Sequence, residues 1–234
     1  MNYAVILSGG IGTRMRDDGF PKQYLTVFEK PILVYALEVF EACPRIDQIV
    51  VVASHTWHEQ IKQWLAQYGI TKCQVIAQAG DSRQESVMNG LLACVGPDTT
   101  DRDNVLIHEA VRPLVSQRIL ADCMDALQHH DCCIPVLPIH DTTYVSLNGT
   151  QISQLTDRDH LFRGQAPEGF KLLQYLEMSR QLPQDQRSSI RGSTELAYMN
   201  GLDIQLIAGE TANFKLTNPG DLELFQAYLT LRQK

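Results

Sequence analysis

Short apolar runs alternate with segments whose apolar residues recur at helical spacing. Tyr3–Leu7, Ile46–Ala53, Cys73–Ala77, Asn104–His108 and Cys132–Leu137 have the length and β-branched content of buried strands. Between them, Pro31–Ala42 places Leu33, Leu37 and Phe40 on one helical face, with Pro31 at a tolerated first-turn position. His55–Tyr68 lines up Trp57, Ile61, Trp64, Leu65 and Tyr68. Ser82-Arg83-Gln84-Glu85 has the form of a capping box opening a helix that runs to Val95, and Ser116–His129 completes the series. Strands alternating with helices predict βαβ units and an α/β fold with a mostly parallel sheet. Ligands of such sheets bind at the carboxyl ends of the strands. The loops after Leu7, Ala77, His108 and Leu137 are therefore expected to converge on one crevice.

The rhythm changes after Pro138. Thr142–Leu147 and Gln151–Thr156 flank Asn148-Gly149, a strong signal for a two-residue hairpin turn. A lone two-stranded hairpin is marginal, so this arm needs the main sheet or another subunit. A helix follows over Phe170–Leu182 and a short one over Thr194–Asn200. Strands are expected near Ile204–Ala208 and Asn213–Thr217, and a last helix from Pro219 to about Arg232. No linker divides the chain, which predicts one domain, 1–234, with a projecting arm at about 142–160.

Composition narrows the function classes. The 234 residues are 44% hydrophobic and 20% charged, with a net charge of −7. An acidic chain lacks the basic face that broad nucleic-acid binding needs. No apolar run approaches the roughly 20 residues of a membrane helix. Six cysteines without a Cys-x-x-Cys pair suit the cytoplasm, and nothing in the histidine spacing supports zinc.

Four segments carry candidate chemistry. Ser8-Gly9-Gly10-Ile11-Gly12-Thr13-Arg14 follows the first strand, where glycines let backbone amides approach a phosphate or base. It is neither Gly-x-Gly-x-x-Gly nor a Walker A loop. Lys22, in Pro21-Lys22-Gln23-Tyr24-Leu25, adds a second cation. Gly80-Asp81-Ser82-Arg83-Gln84-Glu85-Ser86 sits at a strand-to-helix junction able to donate to a nucleobase or phosphate. His108-Glu109-Ala110-Val111-Arg112-Pro113 leaves a strand with a carboxylate for Mg²⁺ and a guanidinium for phosphate, or with a local ion pair. Asn213-Phe214-Lys215-Leu216-Thr217 brings Lys215. Arg14, Lys22, Arg112 and Lys215 around one crevice of an acidic protein point to a polyphosphate ligand.

These segments, together with Lys30-Pro31-Ile32-Leu33, Asn89-Gly90-Leu91, Asp141-Thr142, Thr156-Asp157-Arg158 and Gln165-Ala166-Pro167-Glu168-Gly169-Phe170, resemble the polyol-phosphate cytidylyltransferases over nearly the whole chain. That family includes 2-C-methyl-D-erythritol 4-phosphate cytidylyltransferase and ribitol-5-phosphate cytidylyltransferase. The resemblance implies a Rossmann-like sheet of the nucleotide-diphospho-sugar transferase type. It implies CTP as donor, a polyol phosphate as acceptor and Mg²⁺ as cofactor. By position, Ser8, Gly9, Gly10, Gly80, Asp81 and Ser86 would hold cytosine and ribose. Arg14 and Lys22 would bind the triphosphate. Glu109 would meet the metal, and Arg112, Thr142, Arg158 and Lys215 would hold the acceptor. The resemblance also implies a homodimer through the arm, with Arg158 serving the partner's site.

Ala110-Val111-Arg112-Pro113 and Gly164-Gln165 look more like the ribitol-phosphate branch. The methylerythritol branch more often has Ala-Ala-Arg-Pro and Thr-Pro-Gln. Three segments depart from the family pattern. His-Asp-Ala is His-Glu-Ala here, Gln-Thr-Pro-Gln is Gln165-Ala166-Pro167-Glu168, and a Thr-Asp-Asp/Glu segment is replaced by Gly192-Ser193-Thr194-Glu195. Three readings stay open: a ribitol-phosphate enzyme, a methylerythritol-phosphate enzyme, or a nucleotide-binding homologue without turnover.

Overall fold

The computed structural model describes residues 1–10, 20–187 and 189–232. Its centre is an eight-stranded sheet. β1 (Asn2–Leu7) lies between β4 (Gln48–Ala53) and β6 (Asn104–Glu109), parallel to both, and β5 (Cys73–Gln78) continues the sheet beside β4. These are the strands that the apolar runs predict. β1 alternates its faces: Ala4 and Ile6 enter one core, Tyr3 and Val5 the other. The first core is closed by α1 (Ile32–Glu41), α2 (His58–Gln67) and α4 (Gln117–Ala126). The second is closed by α3 (Arg83–Cys94), α5 (Leu172–Gln181) and α6 (Ser193–Met199). A Cβ at Gly90 would lie 2.5 Å from Val5 Cγ1, so α3 presses its backbone onto the sheet. A two-stranded ribbon, β2 (Thr26–Val27) with β3 (Lys30–Pro31), precedes α1.

The other half of the sheet departs from the expected pattern. β7 (Cys132–Pro138) does not neighbour β6. The antiparallel strand β11 (Glu168–Lys171) lies between them, and β10 (Phe162–Gly164) pairs antiparallel with the end of β7. β12 (Ile204–Ala208) runs parallel to β7, so Cys132 pairs with Phe170 and with Ile204. The residues read as the start of a helix at Phe170 belong to β11, and α5 begins at Leu172.

Two further expectations are corrected. Asn213–Thr217 forms no strand. One of its ties to the fold is Leu216 N–H donating to Val111 O at 2.9 Å, with Leu216 packed beside Phe225 of α7 (Pro219–Arg232). The arm is not a two-residue hairpin either. Its strands, β8 (Tyr144–Val145) and β9 (Gln154–Leu155), are two residues each. The segment joining them is held by Asn148, whose Oδ1 accepts from Thr150 N and Gln151 N, both at 3.0 Å. Asn148 thus shapes a local loop of its own.

Candidate active site

The carboxyl ends of β1, β4, β5 and β6 open into a crevice of about 630 Å³. Gly9, Gly10, Lys22, Ser54, Gly80, Asp81, Ser86, Glu109 and Lys215 are on its walls. Three of the four expected loops converge there. The fourth, after Leu137, is displaced because β11 separates β7 from β6, and the loop after β4 contributes Ser54 instead. Arg14 lies outside the described residues.

The Ser8–Gly10 turn is shaped by a close approach and by two side chains. A Cβ at Gly9 would lie 2.4 Å from Ala79 Cβ, so only glycine lets β1's turn touch the loop after β5. Gln23 Nε2 donates to Ser8 O at 2.7 Å and to Gly10 O at 2.8 Å, and Tyr24 OH donates to Ser8 O at 2.8 Å. Tyr24 packs against Trp57, ring centroids 4.2 Å apart. Gln23 and Tyr24 were absent from the sequence-derived site. The signal was their place beside Lys22, with polar groups in a motif that buries them. Ser8 Oγ is buried and has no hydrogen-bond partner among the described residues.

The opposite wall is a helix entrance. Ser82 Oγ accepts from Glu85 N at 3.1 Å, the first half of the predicted capping box. The second half is displaced by one residue: Glu85 Oε2 accepts from Asp81 N, at 2.9 Å. Gly80 N donates to Ser86 Oγ at 3.0 Å. The Gly80–Ser86 loop is therefore pinned by its own side chains.

At the end of β6, Glu109 meets two cations. Lys215 Nζ donates to Oε1 at 2.6 Å and Arg112 Nε to Oε2 at 3.0 Å. Burial alone would raise this carboxyl; Lys215 and Arg112 outweigh it and hold it at about 2. Arg112 also donates to Asn213 O at 2.9 Å, which ties the segment carrying Lys215 to the β6 loop. Beneath them His108 is fully buried, with Nε2 3.0 Å from Arg112 O. Burial pushes its ring down to about 4, so it is neutral at pH 7 and Nε2–H is the donor to that carbonyl.

Among the described residues, no three or more His, Cys, Asp or Glu groups come together as a metal cage. The donors offered to Mg²⁺ among the described wall residues are two separate carboxylates, Glu109 at the end of β6 and Asp81 before α3. Each Glu109 oxygen accepts one cationic donor and keeps a further lone pair. That set suits an ion carried mainly by phosphate oxygens and water.

Thr142 and Arg158 do not reach this crevice within the chain. Both lie at the base of the arm, where Arg158 Nη1 donates to His140 O at 2.9 Å. Beyond the base, Leu147 is 88% exposed and Leu155 72%. Among the described residues no helix is long and apolar enough to cross a membrane.

The profile of the 2-C-methyl-D-erythritol 4-phosphate cytidylyltransferase family matches residues 2–231. A ribitol-5-phosphate cytidylyltransferase of Vibrio parahaemolyticus is 33% identical over all of this chain and 98% of its own. One of Lactiplantibacillus plantarum is 32% identical over 99% of this chain and all of its own. The fold is shared with 4-diphosphocytidyl-2C-methyl-D-erythritol synthase of Anaerococcus prevotii, at TM-score 0.82 and 21% identity, covering 98% of this chain and 96% of that one. A glycine turn pinned against a helix entrance, a cation-flanked carboxylate at the third wall and this full-length likeness agree, and the chain belongs to the cytidylyltransferase family, as a nucleotidyltransferase enzyme.

Proposed function

We propose that the chain transfers CMP from CTP to D-ribitol 5-phosphate, giving CDP-ribitol and pyrophosphate. The observation that carries this is the crevice itself. Gly9, Gly10, Gly80 and Asp81 line it together with Lys22, Lys215 and Glu109. The choice of ribitol phosphate is supported by the names of the relatives and by Val111, which lies on the crevice wall in the motif that separates the two branches.

The acceptor's phosphate attacks the α-phosphorus in line, and pyrophosphate leaves. A phosphomonoester has a second pKa of about 6, so the nucleophile is already mostly dianionic at neutral pH and needs no protein base. Catalysis is then positioning and charge neutralisation. In this reading Gly9, Gly10, Gly80 and Asp81 orient cytosine and ribose, with Ser8 and Ser86 bracing them. Lys22 and Arg14 neutralise the triphosphate. Mg²⁺, held by the phosphates and Glu109, would supply further neutralisation of the leaving pyrophosphate. Lys215 and Arg112, held through Glu109, face the incoming phosphate.

The acceptor side is completed by a second copy. The exposed Tyr144, Val145, Leu147, Ile152 and Leu155 give the arm apolar side chains that the described residues of its own chain leave uncovered. Docked on a partner, the arm would carry Thr142 and Arg158 to the partner's crevice. Residues 1–234 act as one domain with this arm. The six free, buried cysteines suit a cytoplasmic setting.

Pyrophosphate release from CTP with a panel of polyol phosphates tests the reading. Highest kcat/KM with ribitol 5-phosphate is expected. A higher value for 2-C-methyl-D-erythritol 4-phosphate would move the chain to the other branch. CTP binding without turnover across the panel would make it a binding module.

A further inference from the structure

Two of the segments that depart from the family pattern, Glu168 and Gly192–Glu195, are 24 or more residues apart in sequence and meet in the structure. Gly192 is the residue before α6 and has no side chain to accept the helix's first free amides. Glu168 accepts one of them from across the gap. Its Oε2 takes Thr194 N at 2.5 Å and Thr194 Oγ1 at 2.6 Å. Its Oε1 takes Arg83 Nη2 at 2.9 Å, and Arg83 Nη1 donates to Ser193 Oγ at 3.0 Å. Glu168 and Ser193 are buried, and Tyr175 OH closes the cluster on Ser193 O at 3.0 Å.

Arg83 connects this cluster to the crevice. It is the first residue of α3, directly after Gly80-Asp81-Ser82, and it lies on the crevice wall. Gly192 stands directly before α6, where Asp is a favoured helix cap. A Cβ at Gly192 would lie 3.7 Å from Glu168 Oε2, so a side chain there would point at the place the Glu168 carboxylate fills. The backbone of Gly192, at φ −143°, accepts any residue.

We propose that Glu168 is the positioning residue for Arg83: its carboxylate, on β11, caps α6 and fixes the entrance of α3 that presents Gly80 and Asp81 to the nucleotide. This rests on the CTP reading above.

The test uses the full chain, with CTP binding by calorimetry and amide exchange of the ligand-free protein. Glu168→Gln should weaken CTP about 10-fold, the scale of one lost charged hydrogen bond. It should also speed exchange in both 80–86 and 193–196. Adding Gly192→Asp should restore CTP affinity to within about 3-fold and restore protection in both segments. Gly192→Asp alone, facing Glu168, should weaken CTP by like-charge repulsion. Steady-state kinetics should show KM for CTP moving and KM for the acceptor holding. Unchanged affinity in Glu168→Gln, or a loss that Gly192→Asp does not rescue, would overturn the positioning role. If the parent chain binds no CTP, the functional reading fails, while exchange in the two segments still decides the proposal.

Discussion

The Gly80–Ser86 wall and the 142–160 arm differ in how each meets its own needs. The wall closes on itself: Ser82, Glu85 and Ser86 accept amides from within the loop, and Arg83 is anchored by buried groups. The arm satisfies its loop amides through Asn148 and leaves its apolar side chains in solvent. In the proposed reading the nucleotide subsite is complete within one chain, and an acceptor subsite that uses Thr142 and Arg158 is completed by a second copy. That reading assigns affinity for CTP to the single chain and turnover to the assembly.

The largest effect should come from removing the arm. Replacing residues 142–156 by a short Gly-Ser link should give a monomer by light scattering. Turnover should fall at least about 10³-fold, because several acceptor contacts go together, and CTP affinity should stay within about threefold. A dimer of unchanged affinity after deletion would break the contrast.

Glu109, which the proposed reading places between the two subsites, comes next. Glu109→Ala and Glu109→Gln should each lower kcat at least about 10²-fold, since both leave Lys215 and Arg112 without their counter-charge. Glu109→Asp should keep substantial activity. Near-normal kcat in the Ala and Gln variants at saturating Mg²⁺ would reduce Glu109 to a structural ion pair. Gln23→Ala should act on the wall side alone. It removes two hydrogen bonds to Ser8 O and Gly10 O and should raise KM for CTP about 10-fold, with acceptor KM unmoved.

The smallest effect is on stability. His108 takes up a proton near pH 6.5 when unfolded and near pH 4 when folded. Its contribution is therefore intact above pH 6.5 and is lost as pH falls toward 4, to a total on the order of 3 kcal/mol. Glu109 adds a loss at lower pH, as the medium falls from 4.5 toward 2. Thermal melts of the parent and of His108→Gln between pH 7 and 4 should show the steeper slope only in the parent.

What the sequence makes legible follows the range of the forces involved. β1, β4 and β6 are read easily because each is an unbroken apolar run buried on both faces. β11 escapes because Gln165-Ala166-Pro167 reads as a loop and Phe170 fits the following helix. Only its distant partners at 104–107 and 132–133 make Glu168–Lys171 a strand. Asn213–Thr217 alternates like a strand, yet its bonds go to Val111 and, from Arg112, to Asn213 O. Asn148-Gly149 signals a turn and the loop does turn there, but the flanking residues lack a partner sheet to extend the pairing. In the site, charged residues were visible because a cation in an acidic chain stands out. Gln23, whose work is to bind two backbone carbonyls, carries no such mark.

The pairing of Glu109 with Lys215 spans 106 residues. During synthesis the β6 loop leaves the ribosome long before its lysine, and Glu109 then has Arg112 as its nearby cation. The strands that shape the crevice can associate in that interval, but its charge balance is incomplete until Lys215 and the segment anchored by Asn213 arrive. A nascent chain stalled before that point would present the crevice one cation short, with Lys22 and Arg83 balanced by Asp81 and Glu109 and with less positive charge to draw in a polyphosphate.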